Sequence, residues 1–596
     1  MSRTERTRKT RPLRRPKAMF AALGATALAV ALGGVTAGPA GAGAPTGVET
    51  ATNGLVYIYQ VGTASADVDL GDLAARLDAA GFDVATRNGT AISVLGSSAD
   101  ASKLAGFPGA RVLSSEAIDA HPVVDAAPAS QDDILPSKLD GQTYETFYGG
   151  YRTVDAFHQY EDDLAAAYPD LVKVNDYGTS YTGDNPLRAV CITENAQAGC
   201  GLSPNEPKGR FLVMAQIHAR EITTSEYAWR LMTLLTDSDG KDAEVTAILK
   251  NTEVWVIPDV NPDGIETVQE GIKDEGLGED SPAWQRKNMN PGPQGCSGTW
   301  AFSQRGVDLN RNTASHWGGA GSSSDPCDQE YKGTKAASEP ETTSLQDLFS
   351  DLFKDQRGPG SGDAAPATTT GSIISLHTYG QLVLLPWGWT SQHAPNDAGL
   401  RSMAFRISNF DNYTAGQDGE VLYPTSGTTE DWAYDVLGTA SFTVESGADS
   451  GTCGGFLPPY SCQNALWNLD EPALLYAANA SQQPYTMSLG PTTTAAKAKK
   501  AKGGKVKITG TGNDDAYGHS GVGRPAAQNV TAGRFYLGSA PWAGGTPIDM
   551  KVKGSGTSVK VQLSIARPAT KTLGYVQTKD ANGNWGPVKA VWVPAA

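Results

Sequence analysis

The sequence predicts an α/β protein: a mixed, mostly parallel sheet flanked by helices, preceded by a small α/β segment and followed by an all-β sandwich. Three observations lead there. Residues 211–217 (FLVMAQI) are a continuous run, apolar except for Gln216, as in a strand buried on both faces. From about 140 to 485 strand-like and helix-like stretches alternate, the pattern of a largely parallel sheet covered by helices. Residues 505–593 are short alternating runs separated by turns such as KDANGNWG (579–586), an antiparallel pattern.

The elements follow in order. Residues 1–17 carry Arg3, Arg6, Arg8, Lys9, Arg11, Arg14, Arg15 and Lys17 against one acid, Glu5, and residues 18–42 are uncharged and end in Ala40-Gly41-Ala42. A basic segment, a short apolar segment broken by glycines, and small residues at −3 and −1 read as a secretory signal peptide over 1–42 rather than a membrane anchor. Residues 52–61 alternate as a strand. Residues 68–80 have helical spacing, with Leu70, Leu73 and Leu77 on one face and Gly81 at the C-cap. Residues 91–96 and 110–114 are short strands. Together they make a small unit over 43–130, a pro-segment or a permanent accessory domain; nothing local decides between the two. Residues 121–138, rich in Pro, Ala, Asp and Ser, read as a connection. Within a catalytic segment over 140–485, a helix is expected at 222–236, on Tyr227, Leu231 and Leu234, and strands at 253–259, 371–376 and 439–445. Residues 486–504, with the small basic stretch GPTTTAAKAKKAKGGK at 490–505, read as a linker, and 505–596 as the β domain.

Composition narrows the function. The chain has 596 residues, 19% charged and 39% hydrophobic, enough for roughly three or four domains. Its formal charge of −16 argues against nucleic acid, which demands clustered Lys and Arg. Removing the eight bases and one acid of residues 1–42 takes that charge to −23. The mature protein is expected to be acidic, secreted and free of membrane contact, because no later segment is long and apolar enough to span a bilayer.

Several residues carry chemistry. The run 211–217 leads straight into His218-Ala219-Arg220-Glu221. Imidazole and carboxylate three apart at a strand end can reach one ion, and a catalytic Zn²⁺ site needs three protein ligands and one open position. His377, at the end of the strand 371–376, is the third candidate, lying where α/β sheets place ligands. Glu445 closes the apolar strand SFTVE; a buried acid there is costly unless paired or functional. Arg286, Asn310 and Arg311 lie in polar, loop-like segments, and arginine forks suit a substrate with a free carboxylate.

These residues sit in ordered motifs: HARE (218–221), WQRKN (284–288), GVDLNRN (306–312), SLHTYGQLVLLPWG (375–388), YPTSGTTEDWAY (423–434) and FTVES (442–446). In this order they resemble the M14 zinc carboxypeptidases of the pancreatic A/B type, over a little more than half of the chain. The resemblance implies one Zn²⁺ held by His218, Glu221 and His377. It makes Glu445 the catalytic base and proton donor, and Arg286 the residue that stabilises the oxyanion. It puts Asn310, Arg311 and Tyr423 on the substrate's terminal carboxylate, Arg220 in substrate binding, and Asp308 behind the first zinc histidine as its orienting acid. Glu430 falls at the base of the side-chain pocket, where the family carries an apolar residue or an acid. A glutamate there suggests a basic or mixed preference, although it is longer than the usual aspartate.

The six cysteines allow 15 pairings. Local pairs Cys191–Cys200, Cys296–Cys327 and Cys453–Cys462 are expected, the middle one matching a disulfide of the pancreatic enzymes. The run TLGYVQTKDANGNWGPVKAVWV (572–593) resembles the Ig-like or fibronectin-like modules appended to secreted bacterial hydrolases. The expected activity is that of a secreted, monomeric zinc metallocarboxypeptidase acting on peptides or proteins with a free C-terminal carboxylate. Two alternatives stay open: an inactive relative that binds peptide C-termini, and a peptidase of peptidoglycan stem peptides. No Gly-x-Ser-x-Gly elbow supports a serine hydrolase.

Overall fold

An eight-stranded sheet runs through the middle of the protein in the computed structural model, which describes residues 54–122, 134–292 and 295–596. The leader read at 1–42 lies outside these residues. Across the sheet the strands are Thr414–Gln417, Leu382–Leu385, Ala440–Ser446, Ser372–Thr378, Gly209–Ala215, Thr252–Ile257, Pro186–Ile192 and Val172–Thr179. The four in the centre are mutually parallel. The strands that flank them run antiparallel to their inner neighbours.

Strand period 2 sends alternate side chains to opposite faces. Phe211, Val213 and Ala215 pack with Ile374 and Leu376 against the helices Thr223–Ser238, Asp397–Asp411 and Gln463–Ala480. Leu212 and Met214 pack with Ile373 and Trp255 against the helices Pro340–Leu352 and Thr429–Leu437. Both faces are thus covered, which is why the central strands read as apolar runs. The apolar run 211–217 ends as a strand at Ala215, because Gln216 takes φ +47 and turns the chain toward His218. The edge strand Val172–Thr179 (VKVNDYGT) is half polar, and no apolar run marks it in the sequence.

The N-terminal unit is a four-stranded antiparallel sheet in the order Asp83–Arg87, Ile92–Ser97, Val56–Thr63, Ala110–Ala117, with helices Leu70–Asp78 and Asp100–Ala105. The first helix starts where the Asp69 carboxylate accepts from the Gly71 and Asp72 amides at 2.8 and 3.0 Å. Gly81, at φ +80, makes the turn after it. Its core of Tyr57, Val61, Leu73 and Leu77 is continuous with Leu382, Leu384, Leu422 and Tyr423 of the central unit.

Residues 486–504 are not a linker. Thr492–Ala501 is a strand paired antiparallel with Lys505–Asn513 across a turn in which Gly503 and Gly504 take φ +70 and +68. The strand is hidden in the sequence because its inward residues are only Thr493, Ala496 and Ala498. It begins a seven-stranded antiparallel sheet folded face to face, with Val506, Ile508 and Val561 meeting Phe535, Val576 and Val593.

This β unit is joined to the central one by more than the chain. Its Ser520–Val522 stretch extends the edge of the central sheet: Ala415 N–H donates to Ser520 O at 3.2 Å and Val522 N–H to Ala415 O at 2.9 Å. Arg406, fully buried, donates to Ser488 O (2.6 Å), the Tyr517 hydroxyl (2.9 Å) and Asp514 (3.2 Å). Removing one partner of a buried ion pair leaves the other uncompensated. Arg406→Ala should therefore lower unfolding stability by about 3–5 kcal/mol, measured by urea unfolding, and an effect below about 1 kcal/mol would contradict this account of the junction.

Candidate metal centre and cleft

Adjacent parallel strands set the site. His377 and Glu445 stand opposite each other in register near the C-terminal ends of Ser372–Thr378 and Ala440–Ser446. The next strand, Gly209–Ala215, ends just before His218. Three chain segments far apart in sequence thus meet at one sheet edge, where open α/β sheets bind ligands.

His218 Nδ1 lies 2.7 Å from Glu221 Oε1, His377 Nδ1 lies 3.2 Å from Glu221 Oε2, and the two Nδ1 atoms are 3.2 Å apart. All three side chains are buried. Each ring is held from behind: His218 Nε2 faces Asp308 Oδ1 at 3.2 Å, and His377 Nε2 faces Ser375 Oγ at 2.9 Å. Asp308 and Ser375 occupy the Nε2 side of each ring, so the Nδ1 lone pairs turn inward. Burial, then Arg286, lowers the His218 pKa and favours the neutral ring. Burial pushes Glu221 up, but the two histidines outweigh it and keep the carboxylate ionised. Burial lowers the His377 pKa, but the Glu221 carboxylate outweighs it and pushes the ring up to about 9, so the space between the donors favours positive charge. Two imidazoles and a carboxylate with convergent donors fit a zinc ion. Sequence reasoning missed Ser375, although it lies two residues before His377 on the same strand face.

Asp308 ties this centre to the rest of the cleft. Its other oxygen accepts from Arg286 Nη2 at 2.8 Å and Nε at 3.1 Å, and Oδ1 accepts from the Asn310 amide at 2.8 Å. Burial alone would raise its pKa; Arg286 and His218 hold it well below the usual carboxylate range. Asn310 Oδ1 accepts from Thr429 N and Oγ1 at 2.9 and 3.0 Å, and Arg311 Nη1 donates to Asn310 O at 2.9 Å. Arg286, Arg311, Tyr423, Glu430 and Glu445 all line the cavity that holds the three candidate ligands. Burial, opposed by His377 and reinforced by Glu221, pushes Glu445 up to about 8.

Glu430 is not the only acid in the cavity wall. Asp418, absent from the sequence-stretch motifs, lines the same cavity and accepts from the Thr425 hydroxyl. A Cβ at Gly388 would come within 2.8 Å of the Asp418 carboxylate, so glycine keeps that wall open. Burial, with Glu430 adding to it, pushes Asp418 up to about 7. Asp431, beside Glu430, is turned away and accepts from the Gly388 amide at 3.0 Å.

Arg220 faces the N-terminal unit. Its guanidinium is 2.9 Å from Asp83, both buried, and stacks 4.0 Å over the Phe456 ring. Thr86 Oγ1 donates to Gly380 O at 3.4 Å, Ser93 meets the Tyr379 hydroxyl at 3.3 Å, and Arg87 donates to Glu420 O. Asp83, Val84 and Ala85 line the cleft itself, and the cavity left at the centre is about 50 Å³. That volume admits a few waters and no peptide.

The cysteines pair as Cys191–Cys200, Cys296–Cys327 and Cys453–Cys462. The middle bridge joins the two ends of the segment that carries Asp308, Asn310 and Arg311.

Comparison with known proteins agrees with this geometry. The chain is 33% identical over 321 residues to a zinc carboxypeptidase of Simulium vittatum, a match that covers 52% of this chain and 89% of that one. It is 30% identical over 323 residues to zinc carboxypeptidase A 1 of Anopheles gambiae, covering 52% of this chain and 64% of that one. Among solved structures, carboxypeptidase A from Helicoverpa armigera aligns with a TM-score of 0.53 at 19% identity, over 72% of this chain and 97% of that one. Thrombin activatable fibrinolysis inhibitor aligns with a TM-score of 0.52 at 23% identity, over 72% and 98%. The zinc carboxypeptidase family model (Peptidase_M14) matches residues 157–469, more than half of the chain and every residue from His218 to Glu445, so this chain belongs to the zinc carboxypeptidase family.

Proposed function

We propose that this enzyme is a secreted carboxypeptidase that cleaves the last peptide bond of peptides and proteins, with a preference for basic or mixed C-terminal side chains. What carries the reading is one cleft in which His218, Glu221 and His377 converge beside Glu445, with Arg286 and Arg311 in the same wall. Zinc held by those three residues supplies the Lewis acidity that polarises a peptide carbonyl and acidifies water. Glu445 takes the proton of the attacking water and delivers it to the departing amine. Arg286, oriented by Asp308, places positive charge where the oxyanion develops. Arg311, with Asn310 and Tyr423, holds the free carboxylate. An internal peptide bond would leave that arginine unpaired in a closed pocket, which confines the enzyme to chain ends. Secretion is supported by the basic-then-apolar leader and by three disulfides, which persist in oxidising compartments.

Glu445→Gln should keep its zinc content and lose C-terminal cleavage by at least about a hundredfold in kcat; undiminished cleavage would remove Glu445 from the mechanism.

The N-terminal unit acts as an intramolecular block. Asp83 neutralises Arg220, and the strand Asp83–Arg87 lies over the cleft. Activity then depends on displacing residues 54–122. In the full chain, Asp83→Ala should raise basal turnover of a short peptide, through the loss of a buried charge-assisted pair. Turnover equal to that of the unaltered chain would mean that the pair does not restrain the enzyme.

Asp418 and Glu430 together make the pocket base doubly acidic, which favours an Arg or Lys side chain. Replacing both (Asp418→Asn with Glu430→Gln) should lower kcat/KM on an Arg-terminated peptide by at least about tenfold, the equivalent of roughly 1.4 kcal/mol, and leave or raise it on a Phe-terminated one. Equal losses on both peptides would make the acids structural.

A further inference from the structure

The outward face of the first half of the C-terminal sheet is a lattice of lysines. On Lys505–Asn513 the buried residues Val506 and Ile508 alternate with exposed Lys505 and Lys507. The registers carry that parity across the sheet: Lys499 stands opposite Lys507, and Lys497 opposite Thr509. Thr511 pairs with Lys560, Lys560 with Lys553, and Gln562 with Lys551. Lys497, Lys499, Lys505, Lys507, Lys551, Lys553 and Lys560 are all exposed on this one face. The rest of the face is Thr, Ser, Gln, Asn and Ala. Asp549, the acid that the register puts there, is engaged at 3.4 Å by Arg534. Among the described residues none of the seven lysines has an ion-pair partner.

Two features make this more than a solvated surface. Lys499–Lys507 and Lys553–Lys560 are like charges placed directly opposite each other, an arrangement that destabilises a sheet. The face is carried by a chain whose formal charge is −16, so the positive field is local and not a consequence of a basic protein. Alternate residues along a strand are about 7 Å apart and strands about 4.8 Å. Charges therefore recur in rows that suit a linear polymer with anions at similar intervals.

We infer that this face binds a linear phosphodiester polymer that has neither bases nor acyl chains, of the polyol-phosphate type. Lysine acts as a point charge toward phosphate and needs no fixed bidentate geometry, which matches a flexible polymer. Among the described residues no aromatic side chain stands among the seven lysines, and Arg534 at the margin is taken up by Asp549 and the Trp585 ring, so the face lacks the stacking platform of single-strand nucleic acid binding. Among the described residues no apolar side chain larger than alanine projects among the lysines, so the face lacks the wedge with which proteins enter lipid.

The test uses the full chain and a soluble polyglycerol phosphate, with binding followed by anisotropy at about 50 and about 200 mM salt. Binding should be present at the lower salt and fall steeply at the higher. Replacing Lys499, Lys505, Lys507 and Lys560 by Gln should weaken it by at least about tenfold. The same four positions as Arg should retain binding. Thermal unfolding and turnover of a short peptide should be unchanged in both variants, since these exposed residues lie outside the cleft. Absence of binding at low salt, or binding by the Gln variant within about twofold of the unaltered chain, would overturn the inference. So would tighter binding to a single-stranded oligonucleotide of equal charge or to anionic vesicles.

Discussion

The carboxylate of Asp308 is the point on which the cleft depends. It is fully buried and ionised, which is affordable only because every neighbour compensates it: His218 Nε2 at 3.2 Å, Arg286 at 2.8 and 3.1 Å, and the Asn310 amide at 2.8 Å. Each contact also sets a function. One turns the histidine's other nitrogen toward the candidate metal position, one aims the guanidinium, and one starts the short turn Leu309–Arg311 that brings Arg311 into the cavity wall. Substitution at this single acid would disorganise three roles at once.

The central sheet supplies the rigidity behind that network. Its inner strands are buried on both faces, so their registers cannot slip without moving apolar side chains into the wrong layer. His377 and Glu445 share one register position on neighbouring strands, and their separation is therefore set by strand spacing rather than by loop conformation. The other polar groups of the cavity, Asp418, Thr425 and Glu430, sit instead on the connection after Thr414–Gln417 and in the first turn of the helix Thr429–Leu437.

Both flanking units complete the central one. The N-terminal unit shares an apolar core with Leu382, Leu384 and Tyr423 and contributes Asp83 to the cleft. The C-terminal unit covers the edge strand Thr414–Gln417 with the Ser520–Val522 stretch and anchors on Arg406. An uncovered strand edge is a site for unwanted pairing, so the β unit is part of the enzyme's structure as well as the carrier of its lysine face.

Much of this was legible in one dimension. Apolar runs marked the buried strands, because a strand covered on both faces must be apolar throughout. His218, Glu221, His377, Glu445 and the arginines stood out because chemistry needs those residue types at strand ends and in polar turns. The strand Thr492–Ala501 was not legible, since its inward positions are Ala and Thr and its lysines resemble a solvated linker. Nor was the Asp83–Arg220 pair, whose partners lie 137 residues apart, nor Ser375 and Asp418, ordinary polar residues that gain meaning only from the ring and the cavity they face. Sequence by itself determined which residues could do the chemistry and which segments had to be buried. The tertiary structure decided which of them meet, that the N-terminal unit lies in the cleft, and that seven scattered lysines form one face. Sequence periodicity fixes the side of an element on which a residue falls, and packing alone fixes what lies opposite it.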